Sequence, residues 1–150
     1  MVRFKNRYMV VQLSNFEDND LDFKISDKEL NLTVLNMIKT LFGDFGVGAI
    51  RTCFKVHYCN PSTKIIIFKT RHGPHKFLSS IIPFVNELQG KPIRLSTLYI
   101  GASLFQCYKF IQNYQKGLVR KLHKTLTIQT KEKILNVTGV LKFNKFQVYS

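Results

Sequence analysis

Acidic residues are scarce in this chain of 150 residues. Nine Asp and Glu face 23 Lys and Arg, which gives a formal net charge of +14 and a pI near 9.9. So few carboxylates are a poor supply for a two-carboxylate or metal-nuclease active site. So much self-repulsion is typical of a protein that binds a polyanion. Nucleic acid is the first candidate and an anionic membrane surface the second.

Long apolar runs and cysteine-rich patterns are also missing. No run reaches the ~18 residues that a membrane span needs, and the apolar stretch after Tyr8 is too short for a signal peptide. Three cysteines without a secretion signal indicate a reducing compartment. No basic amphipathic helix dominates the chain, so we predict no membrane partner.

The apolar periodicity predicts alternating strands and helices. Strands are expected at residues 3–14, 47–58, 64–71 and 92–101, and helices at residues 26–42, 75–89 and 103–124. The order strand, helix, strand, strand, helix, strand, then an extra helix, predicts an α+β, ferredoxin-like (βαββαβ) sandwich. Residues 1–124 would form this domain, and residues 125–150 a basic extension whose structure we leave unassigned.

Local signals refine three of these elements. Ser26 and Glu29 have the spacing of a capping box at the start of the first helix. Gly43 and Gly46 are expected to end that helix in a tight turn that tucks Phe45 inward. Two more signals come later in the chain. Pro83 should kink or split the second helix, and Ser103 is a plausible N-cap of the third. The third helix should bury the stripe Leu104, Tyr108, Ile111, Leu118 and Leu122.

Cations mark one end of the predicted central strands. In a ferredoxin-like sheet the first and third strands are antiparallel neighbours, so Arg3, Lys5 and Arg7 should lie beside Lys69 and Arg71, with His72 close by. This convergence favours a polyanion site, and a solvated sheet end is the alternative. The run from Ile65 to Phe68 is apolar on both faces, so both sheet faces must be covered.

Other basic positions are weaker candidates for phosphate contacts. We expect Arg51 and Lys55 on one face of the second strand and Arg94 on the fourth strand. Ser103 begins the third helix, whose positive dipole end suits a phosphate. The basic side chains of that helix are Lys109, Lys116, Arg120, Lys121 and Lys124. A solvated helix face explains these last cations equally well.

Two patterns suggest metals, and neither is complete. Asp18, Asp20 and Asp22 resemble a calcium loop, but Phe23 stands where the loop needs glycine. Cys53, His57 and Cys59 lack a fourth zinc ligand, and Cys107 is expected to be a packing residue. We therefore predict no metal site and no cofactor bound by this chain.

No catalytic constellation is recognisable either. The segment GDFGVG lacks the Lys and Ser/Thr of a phosphate loop, and no glycine-rich loop of the acylphosphatase kind follows the first strand. The third strand, KIIIFKTR, lacks the aromatic consensus of an RNA-recognition motif. RNA would therefore be held at the sheet's rim through its phosphates.

The opening segment MVRFKNRY resembles that of the small Pop-five protein subunits of eukaryotic ribonuclease P and ribonuclease MRP. TLYIGASLFQCYKFIQNY is similar to that family's strand, glycine turn and helix, and FGDFG and IPFV also fit. The resemblance spans residues 1–122. The chain ends without the acidic tail common in the family, so nothing is carried over to residues 123–150.

The resemblance implies a noncatalytic, RNA-binding subunit of an RNA enzyme. The expected partners are ribonuclease P RNA, MRP RNA, precursor tRNA through the complex, a TIM-barrel-like subunit and other Pop proteins. The RNA would remove the 5′ leader of precursor tRNA or process ribosomal RNA, using Mg²⁺ held by the RNA. The implied location is the nucleus and nucleolus. An apolar surplus that includes Phe84, Phe105, Phe110 and Tyr114 suits a protein interface, although core packing explains part of it.

Two other functions stay open. One is a stand-alone small enzyme on a ferredoxin-like scaffold, which would turn over substrate without RNA. The other is a protein-only adaptor whose charge serves an acidic partner, and its complexes would survive nuclease treatment.

Overall fold

The computed structural model describes residues 4–15 and 26–122. The elements are β1 (Asn6–Asn15), α1 (Asp27–Arg51), β2 (Lys55–Asn60), β3 (Ile65–Arg71), α2 (His75–Ile81), a 3₁₀ turn (Ile82–Phe84), β4 (Glu87–Leu88), β5 (Lys91–Gly101) and α3 (Leu104–Leu122). The chain divides into two compact units, Met1–Cys107 and Tyr108–Ser150. The first unit contains the whole sheet. The predicted extension, residues 125–150, lies outside the described residues.

The sheet has five strands in the order β2-β3-β1-β5-β4, and every described pair is antiparallel. Strand β1 therefore lies in the middle, between β3 and β5. With its two intervening helices and a C-terminal α3, this is the ferredoxin-like α+β arrangement, which confirms the predicted fold class. Strand β4 is a short addition that pairs with the start of β5, and the apolar periodicity did not predict it.

The core lies between one face of the sheet and helices α1 and α2. Met9 and Val11 of β1 lie on this face with Phe68 of β3, and all three are fully buried. Leu30 and Ile38 of α1 complete the contact at helical spacing. The opposite face is also buried at the centre of the sheet. Val10 and Ile67 have no exposed surface, so the prediction that both faces of the central strands are covered is confirmed.

Helix α1 runs further than the sequence indicated. Gly43 leaves helical geometry with φ +62°, a value that favours glycine, and the helix then resumes to Arg51. The expected end at Gly43 and Gly46 is therefore wrong, as is a second strand that starts at Val47. Gly46 and Ile50, four residues apart, are both buried, which is a helical spacing. Phe45 is 79% exposed instead of tucked inward, because it lies on the outer side of this resumed segment.

Gly46 is required by the close approach of the two parts of α1. A Cβ atom at this position would lie 2.5 Å from Cβ of Phe42 and 3.1 Å from Cγ2 of Ile38. We expect Gly46→Ala to destabilise the fold by about 1–3 kcal/mol through overpacking. Gly48→Ala is the matched control, because its Cβ would have nothing within 4 Å, and alanine there should be neutral or stabilising. Urea unfolding of both variants checks this, and equal midpoints would contradict it.

Helix α2 is shorter than predicted. It ends at Ile81, and Pro83 lies in the following 3₁₀ turn, so the expected break at this proline is found but the helix does not continue to residue 89. Ser26 occupies the N-cap position of α1 as predicted, but its side chain makes no capping hydrogen bond. The other half of the predicted capping box, Glu29, instead accepts a hydrogen bond from the Gln89 amide.

Helix α3 begins at Leu104, directly after the predicted N-cap residue Ser103. The Ser103 hydroxyl accepts a hydrogen bond from the Gln106 backbone N–H at 3.4 Å, which confirms the N-cap. Cys107 is buried, and its thiol donates to the Tyr8 carbonyl at 3.7 Å, so it is a packing residue as expected. Tyr108 and Ile111 are also buried. Leu118 is 39% exposed, so the predicted inner stripe is wrong at that position.

Candidate nucleic-acid interface

The pairing of β1 with β3 brings the predicted cations to one end of the sheet. In the antiparallel register Asn6 lies opposite Arg71, Arg7 opposite Thr70 and Tyr8 opposite Lys69. The start of β1 therefore lies beside the end of β3, as predicted. Lys5 precedes β1, and its carbonyl accepts the His72 N–H at 2.7 Å. Arg3 lies outside the described residues.

These cations do not share one face of the sheet. Residues paired across antiparallel strands lie on the same face, and successive residues alternate between faces. Lys69 and Arg71 therefore lie on the face of Tyr8, whereas Arg7 lies on the core-side face with Thr70. The single cluster expected from the sequence is thus two groups, one on each face of the same rim.

The first group, which we call the sheet-face group, lies where β2 starts and β3 ends. Its members are Lys55, His57, Lys69 and Arg71. Lys55 is directly opposite Lys69 in the register, so two like charges are adjacent with no benefit to folding. Burial lowers the pKa of His57, and the charges of Lys69 and Lys55 lower it further. The surface around His57 is therefore strongly positive.

Aromatic rings lie among the cations of the sheet-face group. The Arg71 guanidinium carbon is 4.1 Å from the ring centroid of Phe4, a cation–π contact. Phe4 is 70% exposed. On the same face, the rings of Tyr8 and His57 meet edge to face with centroids 6.2 Å apart. Cations interleaved with exposed rings are typical of surfaces that bind RNA backbone and stack bases.

The second group, the turn group, lies at the turn between β3 and α2. Its members are Arg7, His72, His75 and Lys76. The rings of His72 and His75 have centroids 5.2 Å apart, and the Gly73 N–H donates to Nδ1 of His75 at 3.1 Å. Burial lowers the pKa of His75, and His72, Arg7 and Lys76 act in the same direction. The sequence predicts His72 close to these cations but does not predict His75 as a binding residue, although HGPHK follows a predicted strand directly.

The acidic side chains of the described residues make no ion pairs with either group. Within residues 4–15 and 26–122, no ion pair joins a member of either group to Asp or Glu. Repulsion among these cations disfavours the compact fold, and a bound anion would offset it. The geometry supports binding of extended phosphates.

Three predicted candidates lie apart from this rim or are already engaged, and a fourth belongs to the second unit. Arg51 is the last residue of α1 and not part of β2, so the predicted shared face with Lys55 is wrong. Arg94 pairs with Ser14, near the opposite end of β1, roughly 20 Å along the strand from Arg7. Lys109 is exposed in the second unit. The Ser103 hydroxyl is already engaged in its capping bond.

Two of the three cysteines have thiols whose burial disfavours the thiolate form. Burial raises the pKa of Cys59 to about 11, with a smaller contribution from Asp27, and burial raises the pKa of Cys107 to about 11. Cys53 lies close to Thr70, with Sγ and Oγ1 3.6 Å apart. Across the described residues, no three His, Cys, Asp or Glu side chains gather as a metal site would require. Asp18, Asp20 and Asp22 lie outside those residues.

The fold and this rim define a small ferredoxin-like protein with cations on both faces of its central strands. In the described part of the chain, no helix is long and apolar enough to cross a membrane. The model of the Rpp14/Pop5 family matches residues 7–112. The chain therefore belongs to the Rpp14/Pop5 family, as its resemblance implied.

Individual relatives agree with this assignment. The chain is 31% identical over 120 residues to the ribonuclease P/MRP protein subunit POP5 of Bos taurus, covering 77% of this chain and 70% of the relative. It is 28% identical over 135 residues to the probable POP5 subunit of Dictyostelium discoideum, covering 90% and 74% of the two chains. The probable POP5 subunit of Arabidopsis thaliana is 32% identical over 134 residues, with coverage of 85% and 87%.

A solved structure supports the fold. A chain in the cryo-EM structure of yeast ribonuclease MRP matches with a TM-score of 0.52 and 18% identity. The match covers 79% of this chain and 97% of that chain. At this identity the likeness bears on the fold alone.

Proposed function

We propose that this chain is a noncatalytic, RNA-binding protein subunit of the ribonuclease P and ribonuclease MRP ribonucleoproteins. It would support the catalytic RNA in removing the 5′ leader of precursor tRNA and in processing ribosomal RNA. The observation that carries the proposal is the pair of cationic groups on the rim of β1 and β3, which make no ion pair with a carboxylate of the described residues. Membership of a family whose relatives are named ribonuclease P/MRP subunits supports the same conclusion.

The rim would act by positioning the RNA backbone. Lys69 and Arg71 reach phosphates on one face of the sheet, and Arg7 reaches them on the other. Each neutralised phosphate releases condensed counterions, which supplies most of the affinity. Phe4, exposed beside Arg71, offers a ring on which an unpaired base stacks. Such contacts fix the place and orientation of the RNA and do not read its sequence.

The chemistry in this proposal belongs to the RNA. Mg²⁺ held by the RNA supplies metal-assisted phosphodiester hydrolysis, and the protein keeps phosphates of the folded RNA close together. Exposed apolar side chains offer area for protein partners, which we propose to be a TIM-barrel-like subunit and other Pop proteins. Phe84 is 59% and Phe105 61% exposed. The proposed location is the nucleus and nucleolus.

Purification of the tagged chain from its own cells tests this function. We expect one or two structured noncoding RNAs to be enriched, in a particle that trims precursor tRNA and loses that activity on RNA digestion. The untagged strain and a strain with an unrelated basic tagged protein are the controls. Turnover that survives RNA digestion would indicate an enzyme instead. A defined set of proteins that stays intact after nuclease treatment, with no enriched RNA, would indicate a protein-only adaptor.

A further inference from the structure

We propose that the turn group is a proton-linked phosphate site, in which the His75 imidazole gains a proton as an RNA phosphate binds beside Arg7. This inference rests on the proposed function and deepens it. Nothing in the fold requires two histidines to face one another at the end of the central strands. Their rings have centroids 5.2 Å apart, in a turn that the Lys5 carbonyl ties to β1 through the His72 N–H.

The hydrogen bond between Gly73 and His75 defines the free state of the site. The Gly73 N–H donates to Nδ1 of His75 at 3.1 Å, so Nδ1 carries a lone pair and the imidazole is neutral with its proton on Nε2. Gly73 has φ +103°, a conformation that favours glycine and directs this N–H back toward the ring that follows it. In this state the site holds one donor and one acceptor paired with each other.

Protonation turns the same two atoms into a pair of donors. When Nδ1 takes a proton from solvent, its lone pair is used and the bond from Gly73 is lost. The Gly73 N–H and the new Nδ1–H then both need an acceptor. A phosphate oxygen supplies one, and hydrogen bonds from a cationic donor to an anion are among the strongest in proteins. Arg7 lies close enough to act on His75 electrostatically.

The groups around His75 determine whether its pKa rises or falls when a phosphate binds. The groups that act on its imidazole are His72 from the turn, Arg7 from β1 and Lys76 from α2. Burial lowers the pKa of His75 most in the free chain, and these three groups lower it further. A phosphate beside Arg7 offsets these charges and raises that pKa.

The sign of the pH dependence follows from linkage. The complex binds more protons than the free components between the lowered and the raised pKa, so affinity for RNA increases as pH falls through that window. For one proton the change is at most about tenfold per pH unit. We expect affinity to rise roughly three- to tenfold from about pH 8 to about pH 6, at constant salt.

Fluorescence anisotropy with the full chain and a ribonuclease P RNA transcript from the same organism tests the inference. His75→Asn keeps an acceptor for the Gly73 N–H but cannot be protonated, so its affinity should be equal at the two pH values. His57→Asn is the comparison variant, because burial and the charges of neighbouring lysines lower the pKa of His57 as well. If His57 took up the proton instead, His57→Asn would lose the difference between the two pH values and His75→Asn would keep it.

The outcomes separate this inference from the proposed function. RNA binding that does not change with pH in the wild type overturns the proton linkage and leaves the RNA-binding function standing. A pH ratio that His57→Asn abolishes and His75→Asn retains also overturns it. Binding no tighter than that of an unrelated basic protein, at either pH, overturns both. Where a variant fails to fold, a wild-type affinity that does not change with pH still overturns the inference.

Discussion

Alanine at both Lys69 and Arg71 is expected to weaken binding to ribonuclease P RNA roughly tenfold to hundredfold at physiological salt. Both side chains lie on the Tyr8 face of the sheet, at the end of β3, where no described carboxylate pairs with them. If each contacts one phosphate, the slope of log K against log salt falls by about two. A salt series of binding isotherms with the full chain measures both quantities.

Lys28→Ala combined with Lys39→Ala is the matched control for this double variant. Both control lysines are exposed on α1, away from the sheet rim, and their loss removes the same net charge. The control should lower the slope by much less than two. Equal slopes for the two double variants would mean that overall charge, and not the rim, holds the RNA. Circular dichroism of each variant establishes that the fold is retained.

Phe68→Ala is expected to destabilise the fold by about 3–5 kcal/mol. Phe68 is completely buried in the core cluster, and its ring packs on Phe54 with centroids 5.4 Å apart. It belongs to β3, a central strand, so the cavity left by alanine is closed in by β1 and α1 and relaxes little. Urea unfolding measures the change. Phe84→Ala is the control, since Phe84 is 59% exposed, and should change stability by less than about 0.5 kcal/mol. Similar losses in both variants would contradict this account of the core.

The sequence predicts the middle of the fold well because its signals there are strong. The alternation in β1 and the β-branched run of β3 define buried strands, and their antiparallel pairing follows from the ferredoxin-like order. Helix α1 past Gly43 was not predictable in the same way. A glycine inside a helical pattern gives the same sequence signal whether the helix ends there or resumes. The burial of Gly46, which shows that the helix resumes, is visible only in the structure.

The sequence predicts that the cations of β1 and β3 are neighbours, but it does not predict that they divide between two faces of the sheet. Which face a strand residue occupies relative to a partner strand depends on register, and a slip of one residue exchanges the faces. The sequence indicated that Arg7 and Lys69 are neighbours, but only the register of Tyr8 opposite Lys69 shows that they lie on opposite faces. The contact between His72 and His75 likewise depends on the positive φ of Gly73, which the letters HGPH do not specify.

A rim that carries positive charge on both faces has a consequence for the shape of any RNA bound to it. Two RNA segments that approach the rim of β1 and β3 from opposite faces of the sheet would each meet fixed cations. Arg7 lies on one face and Lys69 on the other. The rim of β1 and β3 would then separate the two RNA segments and hold them at a set distance. Mobile ions screen two RNA segments at any distance from each other. Fixed cations on a rigid protein favour one particular distance between them.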